Sequence, residues 1–557
     1  MYKSDVKLNY SPAAQRSTLL FAAFLLTIVV LTLNLSLLSS RFNGDGLGYA
    51  RVVEDADSSK LFSISARLLF CPTGKLVHSI VGFVDSDIRS VHSLQILNSI
   101  FGALGVGVFF LAAFRISRSI RLSILAALGL GFSLSYWFWS TNATSYPGCI
   151  FFLIVTLYLL IKLTETSGRR RYLLLCLLIG LTHALANFFW LTALLAAPAI
   201  VLGIIVGYRG ATIIGRIKAA ITYSASLLLF LVIPLLVAGF ATGRVDSLSG
   251  FPAWLTVASY GIPPDLSLLN LSKGIIGFSS SVFRIIELGP AIKQAVWGVP
   301  YVIENNLRLY VEMVVFVLLW VFLIAVAFYL VRYRKEVFRS KTRMAWVLAF
   351  WAIPPALFGL IWLGSDTERW LSVLLVLWLL ILFIAIHAAR FLSAARAKAI
   401  EIALWAFVAV IFAHNLVFAV IPDHDPDNNQ YMQSAQYLNS RMSGSDLILL
   451  WGHDHVFTAD HLTYFFGIEA HHLGRYAKKR PDEAFSTLDS DILNCRARGS
   501  RVFVSGRIFL YQDLPESHHS DANANTERAE FAEFFSKWKM TSAFTHGTDT
   551  YMEVFEE

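Results

Sequence analysis

Apolar runs about twenty residues long, holding almost no charge, recur along most of this chain. Wound as an α-helix, one such run crosses the ~30 Å hydrocarbon core of a bilayer, and a soluble core has no room for many of them. Eleven are read here. The first, Ser17 to about Ser39, is too long for a signal-peptide core and lacks a small-x-small cleavage site, so it is read as an uncleaved span. Others follow at about Leu94–Phe114, Leu122–Trp139 and Tyr146–Leu163. Residues 172–207 are too many for one crossing and are read as two short spans meeting in a polar turn at His183. The rest fall at about Ala219–Phe240, Leu309–Val331, Trp346–Leu363, Trp370–Ala389 and Ile402–Ile421. The expected architecture is an α-helical polytopic membrane domain over residues 1–421, with long outer loops at 40–92 and 241–306.

The formal net charge is +8, yet the basic excess sits in short loops between the apolar runs. That placement points to membrane topology and argues against a nucleic-acid partner. With the N-terminus in the cytoplasm, Arg115/Arg118/Arg121, Arg169–Arg171, Arg209/Arg216/Lys218, Arg332–Arg343 and Arg390/Arg396/Lys398 all fall on the cytoplasmic side. The short loops opposite, Ser140–Ser145 and Gly364–Glu368, carry no Lys or Arg. Every short loop thus obeys the positive-inside rule, and Asp45, the Asn142 loop, His183, Asp366 and Glu368 are expected on the non-cytoplasmic face.

From Pro422 the sequence turns polar, and residues 422–557 read as a small non-cytoplasmic α/β domain. Helices are expected at Gln430–Arg441, Asp482–Arg498 and Glu527–Trp538, and strands at Leu447–Trp451, Val502–Val504 and Tyr551–Phe555. The alternation suggests a mostly parallel sheet. The histidines of Gly452-His453-Asp454-His455, Asp460-His461 and His471-His472 match no metal-ligand spacing, and neither do the four cysteines.

Chemistry is sought first in Phe42-Asn43-Gly44-Asp45-Gly46-Leu47-Gly48-Tyr49. Glycines let the backbone come close to a ligand, and the Asp45 carboxylate can serve as base, metal ligand or substrate anchor. An ordinary Asp-Gly turn has the same composition. Glu54 lies close behind, Tyr49 follows the glycines, and Arg67 and Lys75 add positive charge to the same loop, whereas Asp55 and Asp57 read as a solvated helix face. A second polar cluster, Asp366-Thr367-Glu368-Arg369, is wedged between two spans. Arg369 there can pair a phosphate through its planar fork or snorkel to lipid headgroups. His183 and Asn187 share a helical face if the helix continues, as site residues or as polar groups satisfied by backbone.

This constellation resembles the GT-C class of polytopic glycosyltransferases, the superfamily of the protein mannosyltransferases and ArnT-like enzymes. The likeness rests on the Asp45-Gly46-Leu47-Gly48-Tyr49 motif after the first span, two long outer loops, a late outer loop holding Arg369, and a soluble tail. It departs from the class where Gly46, not a second acid, follows Asp45, and where residues 66–72 contain no His. The resemblance implies transfer of a sugar from a polyprenyl-phosphate donor to a glycan, lipid or protein acceptor, in a bacterial inner (plasma) membrane. Asp45, with Glu54 second, would be the catalytic base. Tyr49, Arg67, Lys75, His183, Asn187, Asp366, Glu368 and Arg369 would contact substrate. No cofactor motif stands out, though a carboxylate such as Asp45 is compatible with a divalent cation. Two rivals stay open: a transporter or flippase for a lipid-linked or anionic substrate, and a non-catalytic membrane assembly protein.

Overall fold

The computed structural model describes residues 12–555 apart from 56, 167, 208–211, 257–263, 298–302, 304, 334–342, 477–480, 510–521 and 547–548. Parts of the second outer loop, Arg209 and most of the Arg332–Arg343 cluster therefore lie outside the described residues. The chain forms two compact units. The first comprises Met1–Ser39, Val52–Gly289 and Glu304–His424, and the second comprises Ser40–Arg51, Pro290–Ile303 and Asp425–Glu557.

The first unit is helical. Among the described residues, nine helices are long and apolar enough to cross a membrane, and the pair Ile120–Phe132 and Leu134–Ser140, bent by 67°, makes a tenth. Lipid offers helices no hydrophobic reason to associate, so close packing must hold them together. Helix Ser90–Ser117 supplies it with small residues: a Cβ at Gly102, Gly105 or Gly107 would strike Ser140, Tyr136 or Thr27. The bend at Ser133 leaves the Phe132 carbonyl without its helical partner, and the Asn415 amide donates to it at 2.9 Å. The same amide reaches Val282 O at 2.8 Å, while Asn415 Oδ1 accepts the Arg284 N–H at 3.0 Å. Buried Glu312 gathers the N–H groups of Ile286, Glu287 and Leu288 at 2.8–2.9 Å and is paired by Arg308 at 3.0 Å. Unpaired, each of these groups would be costly inside a membrane domain.

Residues 172–207 break at a different place from the one expected. Helix Arg169–Phe189 runs unbroken through His183 and ends at Trp190, which is extended. A 3₁₀ turn, Leu191–Ala196, and the helix Ala197–Gly207 follow. His183 does not break the helix because both ring nitrogens are satisfied: Tyr223 Oη lies at 2.8 Å and Ala193 O at 2.9 Å. Segment Leu191–Gly207 falls short of the ~20 residues of a full crossing.

The second unit holds a five-stranded sheet in the order β2-β1-β3-β5-β4, with β1 Leu447–Leu450, β2 Glu469–His472, β3 Val502–Ser505, β4 Lys539–His546 and β5 Asp549–Phe555. The three strands β2, β1 and β3 are parallel, and β5 and β4 close the sheet antiparallel. Strands β1 and β3 are buried at every residue, as expected of parallel strands covered on both faces. One face packs Leu488, Ile492 and Phe535 of the helices Pro481–Ala497 and Ala522–Phe535. The other packs Ala435 and Leu438 of Gln430–Asn439 and Ala459 of His453–His461.

Candidate functional site

At one end of the first unit, four segments that are distant in sequence converge. The backbone N–H of Leu69 donates to Phe188 O at 3.1 Å, and Ser135 Oγ donates to Thr367 O at 2.8 Å. At their junction lies Tyr146, at the start of helix Tyr146–Thr164. Its hydroxyl donates to Glu368 Oε1 and accepts from the Arg67 guanidinium, both at 3.4 Å. Glu368 in turn lies 3.9 Å from Arg369. Arg67, Glu368, Arg369 and Asp366 are thus one cluster, the last lying 3.8 Å from Arg369.

Arg369 is held more by rings than by acids. Its guanidinium carbon lies 4.4 Å from the Trp362 ring centroid and 5.4 Å from that of Trp190. Cation–π contacts of this kind strengthen as water is excluded, and this side chain is only 8% exposed. A turn with little freedom sets its position. Leu363 adopts φ 49°, a left-handed conformation that costs a non-glycine residue about 1 kcal/mol. Trp370 Nε1 donates back to Gly364 O at 3.0 Å. A Cβ at Gly277 would collide with Gly364 O, and one at Gly364 with Gly359 O and Gly274, so glycines on two helices let the turn sit this close.

The cluster also holds buried donors that have no acceptor. Arg369 Nε and Trp139 Nε1 are buried without a hydrogen-bond partner, as are the hydroxyls of Thr144 and Ser145 beside Tyr146. Trp139 and Trp190 both pack edge-on to Tyr146, with centroids 5.0 and 4.9 Å away. Buried orphan donors are rare in proteins, and several in one place point to an acceptor-rich ligand. Beside them lies an open apolar groove of about 370 Å³, lined by Leu191, Leu194, Leu195, Pro198, Pro354 and Phe358. Leu191 follows Trp190 in the chain, and the Phe358 ring lies 4.9 Å from Trp362, so the groove adjoins the rings that hold Arg369.

The other expected site residues lie elsewhere. His183 and Asn187 are fully buried, and Asn187 Nδ2 donates to His183 O at 2.8 Å; with Tyr223 they hold the break at Trp190. Lys75 donates to Val53 O at 2.7 Å, and Glu54 binds Arg89 at 3.1 Å and Ser90 Oγ at 3.0 Å. Asp45 and Tyr49 belong to the second unit. There Asn43 caps helix Gly44–Glu54, its Oδ1 accepting from the Gly46 N–H at 2.6 Å, and Asp45 lies in the first turn with its side chain exposed. This segment is built onto the tail: Arg51 pairs with Asp460 at 2.9 Å, a Cβ at Gly44 would strike that carboxylate, and the Phe42 ring packs 5.5 Å from Phe465. Sequence reasoning missed Tyr146, Trp139, Trp190 and Trp362. Their signal, aromatic residues at the ends of apolar runs, is shared by any interfacial belt.

Residues 69–213 match the family model of the protein O-mannosyl-transferase TMEM260 N-terminal domain. No curated protein matches the chain. Among solved structures, ArnT from Cupriavidus metallidurans in the apo state superposes with a TM-score of 0.53 at 11% identity, covering 98% of both chains. The same protein bound to undecaprenyl phosphate gives a TM-score of 0.44 at 12% identity, again over 98% of both. The Archaeoglobus fulgidus oligosaccharyltransferase gives 0.42 at 12% identity, covering 81% of this chain and 62% of that one. The chain shares the fold of the ArnT structure.

Proposed function

We propose that the chain is a membrane glycosyltransferase that moves a sugar from a polyprenyl-phosphate carrier to an acceptor hydroxyl on the non-cytoplasmic side. One observation carries the reading: a buried arginine gripped by two tryptophans, among orphan donors, beside an apolar groove. A ligand that suits this combination has an anionic, acceptor-rich head and a hydrocarbon tail. The TMEM260 match over residues 69–213 and the fold of the ArnT structure support the same class.

In the reaction, the acceptor oxygen attacks the anomeric carbon while its proton passes to a base, and the bond from that carbon to the phosphate oxygen breaks with its electron pair on the phosphate. Asp45 is the base in this reading, with Glu54 second; Glu54 is engaged by Arg89 and Ser90, which leaves it less suited. Arg369, with Arg67 joined to it through Tyr146 and Glu368, stabilises the charge developing on the departing phosphate. The acceptor in this reading is a glycan, a lipid or a protein.

The substitution Arg369→Lys tests the phosphate role because it keeps the charge and loses the planar fork. Transfer from a polyprenyl-phosphate sugar, measured in proteoliposomes, should be strongly impaired in the Lys variant and more so in Arg369→Ala, with both proteins inserted normally. Wild-type transfer by the Lys variant would remove Arg369 from the donor site, since a lysine snorkels to headgroups equally well.

A further inference from the structure

A second cluster of buried, unpartnered polar side chains lies wholly within the second unit, at the carboxyl ends of its parallel strands. From β1 the chain crosses to β2 on one side and then returns to β3 on the other, so the strand order reverses between β1 and β3. Open α/β sheets bind ligands at such a reversal, outside the strand ends. Here the loop after β1 is Trp451-Gly452, which leads directly into helix His453–His461. Gly452 has φ 107°, a conformation that favours glycine, and the helix start carries no side-chain cap. Its first N–H groups and the positive end of its dipole thus suit an anion.

The side chains around this point come from β3, β5 and the loops beyond them. Ser505 closes β3 and pairs with Tyr551 of β5, so both point to the face covered by helix His453–His461. Both are fully buried, and neither hydroxyl has a hydrogen-bond partner. The His455 ring stands edge-on to Tyr551 with centroids 6.4 Å apart, and its Nδ1 is also buried and unpartnered. Asp549, two residues before Tyr551 on the same face of β5, lies 3.0 Å from His455 Nε2 and binds Arg507 Nε. Burial alone would raise the Asp549 pKa, but these two partners outweigh it and hold the carboxyl below its ordinary value. Asp549 therefore stays ionised and fixes Arg507 by Nε. One terminal nitrogen of Arg507 then lies 3.5 Å from where a Cβ on Gly452 would stand, which sets the guanidinium beside the start of the helix.

We propose that this pocket binds a phosphate group, held by Arg507, the Ser505 and Tyr551 hydroxyls and the start of helix His453–His461. Among the described side chains its one acid is occupied by His455 and Arg507, and the two hydroxyls and the free end of the Arg507 guanidinium are left to donate to an acceptor-rich anion. The phosphate could be free or carried on an ester, and the chemistry of the pocket is the same for both.

The test is calorimetric titration of the full chain in detergent with inorganic phosphate and, in a second arm, with a short water-soluble isoprenyl phosphate. Saturable binding of either probe is expected, and the arm with the higher affinity identifies the source. Arg507→Gln should weaken it roughly tenfold or more, and Ser505→Ala and Tyr551→Phe severalfold each, in line with a lost bond to a charged group. The titrations are made in the Arg369→Ala background, which removes the donor site proposed above; binding that persists there belongs to this cluster, so the two proposals fail separately. Ser505→Ala and Tyr551→Phe delete only a hydroxyl and keep the packing. If both bind phosphate like the Arg369→Ala protein, or if that protein, folded, binds neither probe at millimolar concentration, the pocket is a packing feature and the proposal is overturned.

Discussion

Arg369 and Asp45 put different demands on their surroundings. Arg369 must be desolvated to act strongly on a phosphate, and Trp190 and Trp362 exclude water from it. A base must reach both acceptor and solvent, and the exposed carboxylate of Asp45 at the start of a helix meets that need. Asp45→Asn keeps size and polarity and removes the proton acceptor. Turnover should fall roughly 10²–10⁴-fold while thermal stability barely changes. Near-normal transfer by this variant in a lipid-linked-sugar assay would move the base elsewhere, with Glu54 next in line. Legibility at this scale was uneven. Arg369, Glu368 and Asp366 could be grouped from their spacing, because a polar cluster between two apolar runs is conspicuous. Tyr146 and the tryptophans could not, because an aromatic residue at a membrane boundary has a lipid-facing explanation that sequence alone cannot separate from a ligand-facing one.

At the scale of elements, the turn before Arg369 is set by contacts between backbones. Gly274 and Gly277 of helix Leu268–Val282 meet Gly364 where any side chain would intrude. Gly277→Ala should therefore push the turn and carry Arg369 off its rings. Overpacking of this kind costs about 1–3 kcal/mol, so the melting temperature should drop and transfer should fall with it. An alanine variant with wild-type stability and activity would show that the turn is free to move. The spans were largely readable because length and apolarity suffice to define them. The break at Trp190 was not. His183 has the look of a helix breaker in sequence, but Tyr223, forty residues on, satisfies it and lets the helix continue. Strands β2 and β4 escaped for a related reason. Glu469-Ala470-His471-His472 is too polar to announce a strand, and β4 is largely exposed at the sheet edge.

At the scale of the whole molecule, basic residues in the short loops set the expected orientation. Arg115 and Arg118, two of those assigned to the cytoplasmic side, both pair with Glu165, at 2.6 and 2.7 Å, in the same interhelical region. The expectation is a C-terminus outside the cytoplasm. A reporter that fluoresces only in the cytoplasm, fused after Glu557, should stay dark, while a periplasmic enzyme reporter at the same point should be active. A bright cytoplasmic signal would put the tail on the wrong side for the proposed reaction. The Asp45 segment is made early, yet Arg51 finds Asp460 only 409 residues later in the chain. At about 5–20 residues per second, that separation is roughly 20–80 s of synthesis. During that interval the segment has left the ribosome, but the residues that clamp Arg51 and Phe42 do not yet exist. The proposed base thus acquires its fixed setting only when the last quarter of the protein arrives, so a chain cut short before Asp460 would contain Asp45 without the partners that define its place.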